Sequence, residues 1–281
     1  MSDKPLSYCA AEVRRHDPDR FLTALFAPAD RREDLFALYA FNLEIAKTRE
    51  VVSETLLGQI RLQWWREAIE GVYTGAPRAH QVVAPLARAI DRAGLARSRF
   101  DRLIDARETD LDDKPPATLA DLLAYAEASS ASLIELALEI LGVRGEAATT
   151  AAHGVGIAWA LIGLLRAVPF HARQRRLYLP QDLMSQAGVD AAQLLERGRA
   201  DGLTAVTRQI ADRAEACLDE ARRLRRRLPG AGIAALLPAT LATGYLRELR
   251  RAGYDPFALD LRQKRPFKPL RLTLAALRGR Y

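Results

Sequence analysis

The chain has 281 residues, 49% of them apolar and 27% charged, which is the make-up of a globular chain with a well-buried core. Its two cysteines, Cys9 and Cys217, and its four histidines are scattered, so neither a disulfide framework nor a sulfur- or imidazole-based metal site is expected. The net charge of +7 equals the seven basic residues between Leu261 and the last residue, where no Asp or Glu occurs, so the body is neutral. That distribution argues against nucleic acid and for an anionic membrane surface or an acidic partner meeting the tail.

Residues 1–8 carry neither an apolar core nor an arginine- and serine-rich leader, and a cytoplasmic chain is expected from them. Asp30-Arg-Arg-Glu33 has the spacing of a capping box, followed by Leu35, Leu38, Tyr39, Asn42 and Ala46 at helical intervals. Ser53 is placed to open a second helix through Leu57, Ile60, Trp64, Ala68 and Val72, stopping near Gly75-Ala-Pro77. Further helices are predicted over about 81–93, ended by Gly94, and over about 98–111. Asp112-Asp-Lys-Pro-Pro116 breaks the chain, and Thr118 then caps a helix reaching Leu141-Gly142.

The longest apolar stretch, Gly154 to Leu165, is too short for a membrane span of about twenty residues and reads as a buried helix over about 147–167, with irregular chain from there to Pro180. Helices over about 203–228 and 233–252 complete the pattern, and alternating strand patterns are nearly absent. The expected architecture is all-α: one helical domain over residues 1–260 and a basic amphipathic tail over 261–281.

Three runs carry a resemblance: Tyr39-Ala-Phe-Asn-Leu-Glu-Ile-Ala-Lys-Thr-Arg-Glu50, Leu165-Arg-Ala-Val-Pro-Phe-His171 and Arg176-Leu-Tyr-Leu-Pro180. Gln63-Trp-Trp-Arg-Glu67 with Tyr73-Thr-Gly75, and Ile104-Asp-Ala-Arg-Glu-Thr-Asp-Leu111, lie between them. In this order they resemble the squalene/phytoene synthase family. The resemblance implies a single isoprenoid-synthase-type bundle around a central apolar cavity, with two helices facing each other across its mouth. In that family each helix presents aspartates at i and i+4, which share a helix face and hold Mg²⁺ against a prenyl diphosphate. The metal stabilises the leaving diphosphate as the allylic cation forms.

This chain departs from the family where that chemistry resides. Ala46 and Lys47 stand in the first motif, with only Glu50 keeping a carboxylate, and Ala167 and His171 replace both aspartates of the second. No metal ligands and no catalytic residues are therefore expected at these positions, and no cofactor. The competing reading, an active squalene or phytoene synthase condensing two prenyl diphosphates head to head, would need Mg²⁺. Tyr125 survives from the family's substrate-side helix, but Ser129, Ser130 and Ser132 follow it; they either alter the cavity lining or face solvent and back-bond within the helix.

If the family geometry holds, Lys47, Arg49, Arg166, His171, Arg173, Arg175 and Arg176 crowd the former diphosphate mouth, with Tyr125 and Tyr178 beside them. Guanidinium groups bind phosphate bidentately without metal, so the pocket is expected either to hold a prenyl or lipid phosphate or to carry solvated charges only. Ala-Phe-Asn-Leu-Glu-Ile-Ala-Lys at 40–47, Val52-Ser-Glu54 and the 165–171 run are also similar to a divergent branch of the family that contains a mitochondrial complex I assembly factor. That likeness implies a non-catalytic role in maturing respiratory NADH:quinone oxidoreductase, with its subunits or other assembly factors as partners. The simplest location is peripheral, on the inner face of a bacterial inner membrane. The tail fits two arrangements: an amphipathic segment lying in an anionic bilayer, or a last helix packed on the bundle.

Overall fold

Residues 35–45 are apolar on almost every side of a helical wheel, a pattern that suits only a helix wrapped by neighbours. In the computed structural model, which describes residues 5–52, 54–259 and 267–281, this stretch lies inside an all-α bundle, and no strand occurs among the described residues. The helices in chain order are α1 (Tyr8–His16), α2 (Pro18–Ala24), α3 (Arg32–Ala46), α4 (Thr48–Val51), α5 (Thr55–Tyr73), α6 (Val83–Ala93), α7 (Arg97–Glu108) and α8 (Leu119–Ala126). There follow α9 (Ser132–Ile140), α10 (Glu146–Arg173), α11 (Gln181–Gln186), α12 (Ala191–Arg197), α13 (Leu203–Arg223), α14 (Ile233–Leu236), α15 (Pro238–Arg251) and α16 (Lys268–Leu277).

The spine of the bundle is α3, α9 and α10, with α9 touching both of the others. Helices α1, α6 and α7 pack around α3, whereas α13 and α15 pack along α10. Phe41 of α3 meets Trp65 of α5 edge-on at 5.4 Å and Phe100 of α7 at 5.5 Å, tying three helices through fully buried rings. By length and composition α10 could cross a membrane, but 61% of its most apolar window is buried among its neighbours, as expected of a core helix. Cys9 and Cys217 are free and buried, and burial pushes the Cys9 thiol up to about 11.

Several local expectations change on folding. Asp30 does not cap α3: its carboxylate lies 3.3 Å from Arg31 and its carbonyl accepts from Arg92, so the helix leaves a turn with no side-chain cap. Glu33 and Asp34 still favour the first turn through the helix dipole. Ser53, the expected opening of α5, lies outside the described residues; Glu54 occupies the cap position. Thr118 does cap α8, in a reciprocal box with Asp121, but the helix that follows is interrupted by a π-helical turn over Glu127–Ala131 before α9 begins. Helix α10 runs past Ala167 and through Pro169 to Arg173. The proline removes one backbone donor, while Val168 and Ala172, buried on either side, hold the last turns against the bundle. Pro238 divides the expected 233–252 helix into α14 and α15.

The expected domain boundary falls within residues 260–266, outside the described residues, as do Arg262, Lys264 and Arg265 of the tail. The rest of the tail forms α16, which packs against α15 through the fully buried Leu272.

The π turn and α10 approach unusually closely. A Cβ on Gly156 would lie 2.3 Å from the Ala131 Cα, so only glycine permits this crossing. Gly156→Ala is therefore expected to destabilise the fold by about 1–3 kcal/mol through overpacking. Gly163→Ala, which meets open space on the same helix, is expected to gain up to about 1 kcal/mol from helix propensity. Denaturant midpoints of the two variants check this; equal midpoints would show that the crossing is loose.

Candidate functional site

The ends of α7 and α10 and the short helices α4 and α8 surround a cavity of about 370 Å³. Ala46, Leu164 and Phe170 give it apolar wall, and Arg107, Asp110, Tyr125, Arg176 and Tyr178 give it a polar one. The polar wall is organised by Asp110, in the single turn of 3-10 helix (Thr109–Leu111) that finishes α7. Asp110 is buried, and its Oδ1 accepts from the Tyr125 hydroxyl at 2.9 Å and the Tyr178 hydroxyl at 2.9 Å. Its Oδ2 accepts from Arg107 Nη1 at 3.1 Å, and the same guanidinium nitrogen donates to the Tyr125 hydroxyl at 2.7 Å. Three donors thus stand in for solvent around this buried carboxylate. Burial pushes both phenols upward, and the neighbouring Asp110 charge adds to this at Tyr178, so both remain protonated donors.

Arg176 fixes the loop after α10 to the same turn. Its guanidinium donates to the Asp110 carbonyl and, at 3.0 Å, to the Asp112 carbonyl. Asp113 then bridges Arg49 Nη2 at 3.1 Å and Arg176 Nε at 3.4 Å. His171 lies against the Tyr178 ring, centroids 4.6 Å apart, and its buried Nδ1 has no hydrogen-bond partner. Burial, with Arg176 adding, pushes the imidazole down to about 4, so it is neutral at pH 7.

Of the residues singled out from the sequence, Ala46, Arg49, Glu50, Tyr125, His171, Arg176 and Tyr178 come together on this lining. Lys47, Arg166, Ala167 and Arg173 do not line it. Arg166 turns the other way, its guanidinium 3.7 Å from the centroid of the Tyr245 ring, and Arg173 is exposed. The expected crowd of cations is thus reduced to Arg49 and Arg176, both already facing Asp113. The physical reason is that Arg166 is taken up in a cation–π contact with Tyr245 of α15 and Arg173 turns to solvent. Arg107 and Asp110 were not singled out, although Ile104–Leu111 was; an Arg and an Asp at i and i+3 at the end of an apolar-faced helix was the available signal. Ser129 back-bonds to the Tyr125 carbonyl at 2.7 Å, and Ser130 and Ser132 are buried; none of the three faces solvent.

The donor set does not fit Mg²⁺. Glu50 and Asp110 are the carboxylates on the lining, and Asp110 spends its oxygens on two phenols and a guanidinium. Mg²⁺ asks for carboxylate oxygens free to complete an octahedron. No group of three or more His, Cys, Asp or Glu suited to a metal occurs among the described residues.

Two consequences can be measured. Asp110→Ala strands the buried Arg107 charge and is expected to cost about 3–5 kcal/mol, whereas Tyr178→Phe removes one hydrogen bond and about 1 kcal/mol; chemical denaturation separates them, and a near-neutral Asp110→Ala would contradict the network. His171 binds its proton more weakly in the fold than its ordinary value of 6.5 allows. Between pH 6.5 and about 4 the unfolded chain therefore takes up more protons, and stability falls as pH falls through that window, with no further contribution below it. His171→Phe keeps a ring against Tyr178 and should lose less melting temperature than the wild type between pH 7 and pH 4.5; parallel losses would mean the histidine is not responsible.

Residues 13–273 match the squalene/phytoene synthase family. The rat protein named NADH dehydrogenase (ubiquinone) complex I, assembly factor 6, is 35% identical over 274 residues, spanning 98% of this chain and 82% of the rat protein. A phytoene synthase of Thermus thermophilus is 28% identical, spanning 96% of this chain and 91% of its own. Among solved structures, a squalene synthase from Alicyclobacillus acidocaldarius shares the fold with a TM-score of 0.80 at 24% identity, over 89% of this chain and 94% of its own. With the motifs in family order on one isoprenoid-synthase-type bundle, and the match running over nearly its whole length, the chain belongs to the squalene/phytoene synthase family.

Proposed function

We propose that the chain acts as an assembly factor for respiratory complex I and does not itself transfer prenyl groups. The observation that carries this reading is the mouth of the cavity: Ala46, Ala167 and His171 stand in place of metal-binding aspartates, and the buried Asp110 is committed to Arg107, Tyr125 and Tyr178. Without a cation to hold the departing diphosphate, several kcal/mol of barrier lowering is missing, and each 1.4 kcal/mol is about tenfold in rate. The likeness to the rat complex I assembly factor over 98% of the chain supports the role. Its place in this reading is peripheral, on the inner face of a bacterial inner membrane, where it would meet complex I subunits or other assembly factors.

The cavity keeps a use in this reading. A prenyl or lipid phosphate would enter over Phe170 and Leu164 and exchange with Asp113 for the guanidinium groups of Arg49 and Arg176. Binding is then independent of metal.

Deleting the gene is expected to lower the amount of assembled NADH:quinone oxidoreductase, restored by the wild-type chain; an unchanged level would reject the assembly role. Incubation with farnesyl or geranylgeranyl diphosphate, Mg²⁺ and reductant is expected to give no thirty- or forty-carbon product, and any such product would revive the synthase reading. For the cavity, prenyl diphosphate should bind equally with and without chelator. Arg176→Gln should weaken it about tenfold or more, as loss of a charge-assisted contact does; absence of binding in both conditions rejects the ligand.

A further inference from the structure

Helix α16 has two apolar sides. One is used: Leu272 is fully buried and Ala275 and Ala276 pack on the core. The other is not. Phe267, Leu270, Leu274 and Leu277 recur at steps of three, four and three, which places them in one stripe along the helix, and they are 66%, 54%, 41% and 80% exposed.

The stripe is held in position at both ends. At the start, Lys268 Nζ reaches the buried Asp19 carboxylate and lies 3.2 Å from the Tyr245 hydroxyl, which itself donates to Asp19. Beyond the far end, Arg222 donates to the Tyr281 carbonyl at 3.1 Å, and the buried Tyr281 hydroxyl donates to the Ala221 carbonyl at 2.9 Å. Side chains exposed because a segment is loosely attached need no explanation; four large apolar side chains exposed on a helix fastened at both ends do.

The charge around the stripe selects its partner. Arg271, Arg278 and Arg280 are exposed, and among the described residues they enter no ion pair. The sequence from 261 to 281 holds seven basic residues and no acidic one, the whole net charge of the chain. Apolar side chains on a segment whose charged residues are all basic match a layer of hydrocarbon beneath anionic headgroups. An acidic protein surface would satisfy the arginines but not a stripe this exposed at its ends.

We infer that this face of α16 docks the folded protein onto an anionic lipid bilayer, with Phe267, Leu270, Leu274 and Leu277 entering the interface and the arginines meeting headgroups. The inference rests on the membrane location proposed above and adds the surface that achieves it. The bundle then lies against the bilayer in one fixed orientation, because α16 does not swing free.

The test is co-sedimentation of the full chain with phosphatidylglycerol-containing and with purely phosphatidylcholine vesicles. Two variants are compared, Leu270→Ser/Leu274→Ser/Leu277→Ser and Arg271→Gln/Arg278→Gln/Arg280→Gln. All substituted side chains are exposed, and circular dichroism with melting confirms that the variants fold. The wild type should bind the anionic vesicles about tenfold or more over the neutral ones, and each variant should lose about tenfold or more. Wild-type binding unchanged by the leucine variant overturns the inference while leaving the membrane location standing. No wild-type binding to either vesicle overturns both. A wild-type dimer in sedimentation velocity that the leucine variant abolishes also overturns it, assigning the stripe to a second copy of the chain.

Discussion

The cavity wall depends on one buried carboxylate. Asp110 joins parts of the chain that are distant in sequence: Arg107 at the end of α7, Tyr125 on α8, and Tyr178 in the loop after α10. Arg176 reinforces the same turn through the Asp110 and Asp112 carbonyls. An ionised carboxylate out of water is costly unless hydrogen bonds replace its hydration, so each donor must be present for the others to be worth placing. This coupling explains why the arginine-x-tyrosine of the 176–180 run lies beside the tyrosine of α8: both rings serve the same anion. It works with Leu177 and Leu179, both buried in the core, to fix the course of the loop after α10.

The helices legible in the sequence are those whose apolar period agrees with their burial. α5, α6, α7 and α13 are placed within a few residues, and Gly94 ends α6 with the positive φ its position suggested. The misses share a cause, tertiary packing overriding a local signal. Pro169 reads as a stop, yet Val168 and Ala172 are buried around it and α10 continues. Asp30 reads as a cap, yet a turn and Arg92 claim it. The π turn at Glu127–Ala131 leaves no mark in the period; its last residue, Ala131, lies where α10 passes closest, at Gly156. The short helices α1, α2, α11 and α12 carry too few residues to show a period at all.

The site was legible as a set of motifs and not as an electrostatic field. The runs at 39–50, 165–171 and 176–180 do converge on one cavity, because they lie at matching heights on elements that face each other. What the runs hide is the loop between them. Asp112 and Asp113 read as a chain break, and counting cations in the other runs without them makes the mouth look strongly positive. In the fold, Arg49 and Arg176 meet Asp113, Arg107 meets Asp110, Glu50 shares the lining, and His171 is neutral, so the mouth is far less positive than the runs suggest.

That balance accords with the proposed role, in which the mouth does no metal chemistry. Carboxylate pairs facing each other across a cleft repel until a cation arrives, and the apo fold bears that repulsion as a cost of function. Here the leading positions of both pairs are alanine, Ala46 and Ala167, Glu50 remains on α4, and Asp110 and Asp113 already face guanidinium groups. The Asp110 and Asp113 carboxylates are paired without a metal. A phosphate entering the mouth would have to displace Asp113 from an exposed pair, which is a weak interaction to break, whereas a divalent cation would have to take Asp110 from three partly buried donors. Under the proposed function, the mouth would therefore disfavour a divalent cation and leave Arg49 and Arg176 to an entering anion.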